Sequence, residues 1–384
     1  MKFNLTLILT ILFSICFKVK AQQQIKVGLF KNSKLNIVEI KSGEEIIKVR
    51  ADDTFLSLPI NSSLIISAKL NDISLNIGNF NLGIFNQVEI EISESEGMVL
   101  KPLSPEYPEN KYTEKLLITS KQNNLSMINK LKTENYIVGV LRGEIGFDKP
   151  LNSYIVMAIL AQTYAEGYHS RHRSDNFNLC DQTHCQVFKG FFKYEPYHTA
   201  AKLAKNKVVL DVNGNIIEGL FHSNCGGKTQ NSGNVWRNNL SYCQSINDSF
   251  CMNQKNSIWN KSFSIYDFCL KLNIPYNVNE IPNLDFCNNV QLINDRREKD
   301  IFICNKTFNT IYIRTQLDLK SDWFDISCAG DSVLINGKGF GHGVGLCQEG
   351  LIEMARQGCN EEEIIQYYFR NVIIKERRKI QFNN

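Results

Sequence analysis

The chain has 384 residues, 43% of them hydrophobic, and 43 Lys+Arg against 39 Asp+Glu for a net charge of +4. That length supports one large or two ordinary domains with real cores. So mild a charge, with no basic stripe interleaved by aromatics, gives no case for a nucleic-acid partner.

Residues 1–21 read as a secretory signal peptide: Lys2, an apolar run from Leu5 to Phe17, and small Ala21 at the expected cut. The apolar run is too short to span a bilayer, and no later segment approaches about 20 consecutive apolar residues. The expectation is an exported chain (secreted, periplasmic or in the cell envelope) with no membrane span after cleavage. Of the 12 cysteines, all but Cys16 lie between Cys180 and Cys359. Export favours disulfides, and the odd number left after cleavage implies a free thiol or metal ligands.

Residues 22–112 form a β-rich N-terminal region. IKVGLF, LNIVEI, IIKVRA, SLIISAKL and QVEIEIS alternate or run in β-branched residues between polar turns. The polar stretch KPLSPEYPENKY (101–112) reads as a connection, and 113–384 as a second region. There LLITS, LSMINKL and NYIVGVL look strand-like, as do KVVLDV, IIEGLFHS and TIYIRTQL further on. PLNSYIVMAILAQTYAEGY (150–168) is apolar nearly all round and predicts a buried central helix, with Asp148 as its cap and Pro150 in its first turn. EGLIEMARQG predicts a helix ended by Gly358. Asn360 with Glu363 predicts a capping box opening another. The fold class is α+β, without the regular strand–helix alternation of a doubly wound sheet.

The segment GKGFGHGVGLCQ places glycine at 337, 339, 341, 343 and 345 around His342. A dinucleotide fingerprint needs a third glycine at offset 5, where this chain has His342, Val344 or Leu346, so that reading fails. The remaining reading is extended backbone whose alternate positions must be bare because other backbone or a ligand packs there. A lone histidine in such a segment is as readily structural as catalytic.

GKGFGHGVGLCQEGLIEMARQG (337–358) resembles the C-terminal motif of the SpoIID/LytB family of peptidoglycan-active proteins, G-x-G-x-GHG-x-GMSQ-x-G-A-x-x-MA-x-x-G. YIVGVLRGEIGFDKPLNSYIVMAILAQTYA (136–165) is similar to that family's Y-L-x-GV-x-x-x-E block, without a gap. FHSNCGGKTQNSGNVW (221–236) resembles its S-x-x-GG-x-T…VW segment. The three blocks stand in the family's order across roughly 220 residues. The resemblance implies a SpoIID-like fold with a substrate cleft and two alternative activities. One is a lytic transglycosylase that cleaves glycan strands lacking stem peptides. The other is a non-catalytic peptidoglycan-binding module that stimulates a cell-wall amidase.

On this resemblance Glu144 stands at the catalytic acid position. Such an enzyme protonates a glycosidic oxygen, then takes the proton of the C6 hydroxyl as that oxygen closes on the anomeric carbon. One carboxyl can do both in turn, provided an apolar site keeps it protonated near neutrality. Ser223, Gly226, Gly227, Thr229 and Trp236 would line the cleft, with His342 and Gln348 on the facing wall. The family's lysine and arginine on the central helix are here Ile155 and Gln162, which favours the binding-only alternative. LCDQTHCQVFKG brings Cys180, His184 and Cys185 within six residues. Spacing leaves a Cys180–Cys185 disulfide and a metal set open, and the resemblance implies a structural zinc, with His169, His172, His222 or Cys225 as fourth ligand. With water in place of a fourth ligand, the same three residues would make a metal-dependent hydrolase. No organic cofactor is expected. Cys243, Cys251, Cys269, Cys287, Cys304 and Cys328 fall in a Cys-rich insert around 243–328 and read mostly as disulfide staples. Cys347 and Cys359 read as buried thiols or a late disulfide.

Overall fold

The computed structural model describes residues 24–236, 238–275 and 283–377; the expected signal segment lies outside the described residues. The first half is a pair of packed sheets. Seven strands run in the order Leu179–Cys180, Gln24–Leu29, Asn124–Lys132, Glu114–Lys121, Gln87–Ile92, Ile47–Ala51 and Thr54–Leu58. Six more form the second sheet, from Asn110–Tyr112 through Met98–Ser104, Ile37–Lys41, Ser63–Lys69 and Asp72–Ile77 to Phe80–Phe85. Along Glu114–Lys121 every second residue is buried: Glu114, Leu116, Ile118 and Ser120. That two-residue period aims one face of each sheet at the shared core, where Val38, Ile40, Val49, Ile66, Val88 and Ile118 meet. Each such fully buried side chain contributes roughly 1.5–3 kcal/mol. Strands from both sides of residue 112 share the first sheet: Glu114–Lys121 pairs with Gln87–Ile92, and Asn124–Lys132 with Gln24–Leu29.

The sheet leads directly into Thr133–Glu144, which is helical where a strand is expected from NYIVGVL. Tyr136 to Leu141 are all buried, so the β-branched run reflects burial on every side rather than a pleated face. TIYIRTQL is likewise helical over Thr310–Gln316, capped by the Asn309 side chain. The central helix, Leu151–Gly167, is buried at every residue from Ser153 to Ala165, as a helix apolar all round must be. Asp148 does not cap it. Pro150 stands immediately before the first turn, and Asp148 has φ +58°. Gln348–Arg356 and Glu361–Tyr368 pack against it. Gly358 takes φ +91° after the former, and Asn360 with Glu363 makes the expected capping box on the latter. The architecture is α+β.

A second core gathers Trp259, Phe268, Ile301, Phe324, Val333 and Ile335 under a three-stranded sheet of Ile258–Ser264, Ser332–Lys338 and Phe324–Ala329. Cys287 and Cys328 are disulfide-bonded there. The other expected staples, Cys243, Cys251, Cys269 and Cys304, are free thiols, as are Cys347 and Cys359. Cys243, Cys251 and Cys269 are buried. Among the described residues no helix is long and apolar enough to cross a membrane.

Candidate functional site

Glu144 is the last residue of the helix Thr133–Glu144 and lines a cleft of about 660 Å³. The helix can bring it there because Gly139 and Gly143 let the segment 187–190 lie against it. A Cβ on Gly143 would sit 2.0 Å from the Val187 carbonyl oxygen, and one on Gly139 2.3 Å from the Phe188 ring. The reward of this closeness is the Val187 N–H, which donates to Glu144 Oε1 at 2.7 Å. Burial pushes the Glu144 carboxyl above the ordinary carboxylate range, against the opposing pull of the Val187 bond and Lys189. A Gly143→Ala chain gains at most about 1 kcal/mol of helix propensity. It meets a backbone atom that cannot swing aside, an overpacking cost of typically 1–3 kcal/mol. Denaturant unfolding is expected to show the variant less stable than the parent.

The glycine segment forms the facing wall. Gly339, Gly341, Gly343 and Gly345 all have positive φ, between +73° and +105°. An added Cβ would lie 2.6 Å from Asn224 O at 339 and 2.3 Å from Leu220 O at 345. The bare positions therefore face the strand segment 220–226 and Arg297, not the central helix. His342 sits among them with both ring nitrogens in use: Nε2–H donates to Phe221 O at 3.0 Å, and Nδ1 accepts from Val344 N–H at 3.1 Å. Trp236, 41% exposed, packs on it at 5.0 Å between ring centroids, presenting a flat aromatic face to the cleft.

Burial, then Arg297 and Arg314, hold the His342 pKa down at about 4, from 6.5. In that window the unfolded chain takes up a proton that the folded chain refuses. Its stability contribution is thus full above pH 6.5 and is lost as pH falls towards 4. The melting temperature is expected to drop across this range, and His342→Gln to flatten that part of the profile.

Of the residues expected in the cleft, Glu144, Trp236 and His342 are brought together. Gln348 stands behind the acid, its Nε2 donating to Glu144 O at 3.3 Å. Ser223, Gly226, Gly227 and Thr229 lie away from it. Gly226 packs on Lys338 and Gly339, Gly227 on Met252, and Thr229 Oγ1 accepts from Ile246 N–H at 2.9 Å. Ile155 and Gln162 are buried, 6% and 4% exposed. Cationic groups reach the cleft from elsewhere, as Arg171 and Arg314, with Tyr164, Tyr168 and Glu218 beside them. Nothing in the sequence marks these, since Arg171 comes from a loop and Arg314 from the second core.

Cys180, His184 and Cys185 meet, and His172 is the fourth member: all four donor atoms lie within 4.8 Å of one another. The short strand Leu179–Cys180 delivers the first by pairing with Gln24–Leu29. Cys185 Sγ stands 3.4 Å from His172 Nε2 and 3.7 Å from His184 Nδ1. His172 Nδ1 stands 2.8 Å from Lys31 Nζ and 3.1 Å from Asp175 Oδ2, and Lys31 Nζ donates to that same carboxylate at 2.8 Å. A carboxylate behind a histidine fixes the ring for metal binding. Hydrogen bonding from Cys185, then from His184 and His172, favours the Cys180 thiolate. Two thiolates and two imidazoles suit a tetrahedral zinc and leave no open position, as in a structural site. Both thiols are free, so no disulfide competes. His169 lies outside the cluster, against Asn178, His222 packs on His342, and Cys225 belongs to another group.

The model of the SpoIID family, described as stage II sporulation protein, matches residues 121–217. That stretch holds the acid helix, the central helix and the Cys–His cluster. An uncharacterized protein of Brachyspira hyodysenteriae is 25% identical over 373 residues, 90% of this chain and 97% of its own. Stage II sporulation protein D of Bacillus amyloliquefaciens is 25% identical over 265 residues, 65% of this chain and 76% of that protein. The Bacillus subtilis protein of the same name is 25% identical over 268 residues, with the same two shares.

Proposed function

We propose that this chain, which belongs to the SpoIID family, is an exported peptidoglycan-active protein that cleaves glycan strands lacking stem peptides as a lytic transglycosylase. Family membership implies the cell-wall role. The observation that carries the chemistry is Glu144, half-buried at the cleft with its carboxyl pushed towards the protonated form. Protonated Glu144 gives its proton to the glycosidic oxygen, and the leaving sugar departs with it. The carboxylate then removes the C6 hydroxyl proton as that oxygen bonds the anomeric carbon. The acid is restored and no water is consumed. Trp236 offers a stacking face for a sugar ring, and Arg171 and Arg314 offer donors to its hydroxyls and carboxylates. His172, Cys180, His184 and Cys185 would hold a zinc that supplies no chemical step. It would anchor the loop from which Val187 reaches the acid.

The test is mass spectrometry of sugars released from denuded glycan. Anhydro-ended products are expected. Reducing ends instead would make the protein a hydrolase, with Glu218 as the candidate second carboxylate. The second reading is a wall-binding module that stimulates an amidase, favoured by the buried Ile155 and Gln162 where the family has lysine and arginine. It predicts glycan binding, no new ends, and faster cleavage by an added amidase.

A further inference from the structure

We propose that Cys225, Asp248, Cys251 and Cys347 form a second metal site, one that takes a structural zinc ion. The four come from three separate stretches of chain, and their donor atoms lie within 4.8 Å of one another. All four residues are fully buried. Cys225 Sγ stands 3.3 Å from Cys251 Sγ and 3.2 Å from Asp248 Oδ2. The Cys225 N–H points at Cys347 Sγ, 3.3 Å away. Around a zinc with Zn–S bonds of about 2.3 Å, tetrahedral sulfurs stand about 3.8 Å apart. The separations in the cluster, from 3.2 Å to at most 4.8 Å, bracket that spacing.

Two hydrogen bonds orient the carboxylate. Asp248 Oδ2 accepts from Tyr368 Oη–H at 3.0 Å, and Oδ1 from Phe250 N–H at 3.0 Å. These are the outer-shell bonds that orient a ligating carboxylate. Gly350 keeps the approach open: a Cβ there would fall 2.1 Å from Tyr368 Oη and 2.6 Å from Asp248 Oδ2. Among the described residues no cationic side chain forms an ion pair with Asp248, and Arg297, which donates to Cys225 O, is itself paired with Asp322. A buried carboxylate without a counter-charge is costly, and a divalent cation answers it. A Cys225–Cys251 disulfide would not. It would consume two thiols and leave Cys347 and Asp248 facing each other with no partner of opposite charge.

The donor set selects the metal. Three soft thiolates exclude magnesium and calcium, while the hard carboxylate disfavours copper(I), leaving zinc as the fit. Binding releases the three thiol protons to solvent as the sulfurs become thiolates. Four protein donors leave no position for water, so the ion is structural. It ties the strand segment at 225 to Cys347, the residue before Gln348, and so fixes the wall behind Glu144.

Metal analysis of the purified full-length chain, prepared without chelator, is expected to give two zinc ions per chain, one per cluster. Cys347→Ala and Asp248→Asn are each expected to lower the ratio to one, and Cys185→Ala to lower it to one independently. A folded Cys347→Ala chain that keeps the parent ratio overturns the proposal. Should that variant fail to fold, the parent chain decides. A ratio of one that Cys185→Ala abolishes overturns the proposal. So does a non-reducing peptide map showing Cys225 linked to Cys251.

Discussion

Replacing Glu144 by glutamine is expected to lower the release of anhydro-ended sugars by about 10²–10⁴-fold, the span of general acid–base catalysis, while leaving the fold intact. Glutamine keeps the shape and can still accept the Val187 N–H bond of 2.7 Å, so the loss isolates the proton. Stability gives an independent readout. The parent carboxyl is pushed up by burial, so its favourable contribution is present at low pH and is lost as pH rises through the folded-state pKa. Above that point the parent carries a desolvated charge that the variant lacks. The melting temperature of Glu144→Gln is therefore expected to match the parent in acid and to exceed it at neutral and higher pH. The parent's activity falls over the same rise, since only the protonated acid starts the reaction. Product released at the parent rate by Glu144→Gln, measured on denuded glycan, would remove Glu144 from the mechanism.

Removing the zinc proposed for the His172–Cys180–His184–Cys185 cluster is the second large change. Structural zinc sites contribute about 10–16 kcal/mol of apparent binding energy, comparable to or above the roughly 5–15 kcal/mol by which a domain is stable. Of the paired sheets only the edge strand Leu179–Cys180 carries a ligand, so the expected effect concentrates in the loop that runs from Leu179 to Gly190. Cys185→Ala is expected to lower the melting temperature by roughly 10 °C or more, given about 2–4 °C per kcal/mol in units of 150–250 residues, and a chelator, which strips both proposed ions, by at least as much. Glycan cleavage is expected to fall with it, because Val187 and Gln186 hang from that loop and Tyr136 Oη–H donates to Gln186 Oε1 at 2.9 Å. Added zinc restores both after the chelator and neither in the variant. Unchanged melting and cleavage after exhaustive chelation would show the loop stands without a metal.

Legible in the sequence is what lies contiguous in the chain. The acid block, the Cys-x-x-x-His-Cys cluster and the alternating glycines each declare themselves within a few residues, because their chemistry is local. The capping box at Asn360 and the all-apolar central helix are equally local. Helix Thr133–Glu144 is hidden by the burial of its middle, since six consecutive buried residues, Tyr136–Leu141, show no helical period. The cluster of Cys225, Asp248, Cys251 and Cys347 has no sequence signature, because its members are up to 122 residues apart. Arg171 and Arg314 are ordinary arginines until folding aims them. His172, by contrast, stood among four candidates, and only the pairing of Leu179–Cys180 with the first strand selects it.

The second core leaves the body and rejoins it at one place: Ile258 pairs with Lys338, and the Gly339 N–H donates to Ser257 O at 2.9 Å. The two ends of this 81-residue stretch are thus about one inter-strand spacing, ~4.8 Å, apart, a gap one or two residues can bridge. It has the connectivity of a cassette, spliced into a body whose chain path is continuous without it. Since that cassette carries Arg314 to the cleft and Arg297 to Gly343, exchanging it would change the charge lining the cleft while leaving the helix that bears Glu144 in place.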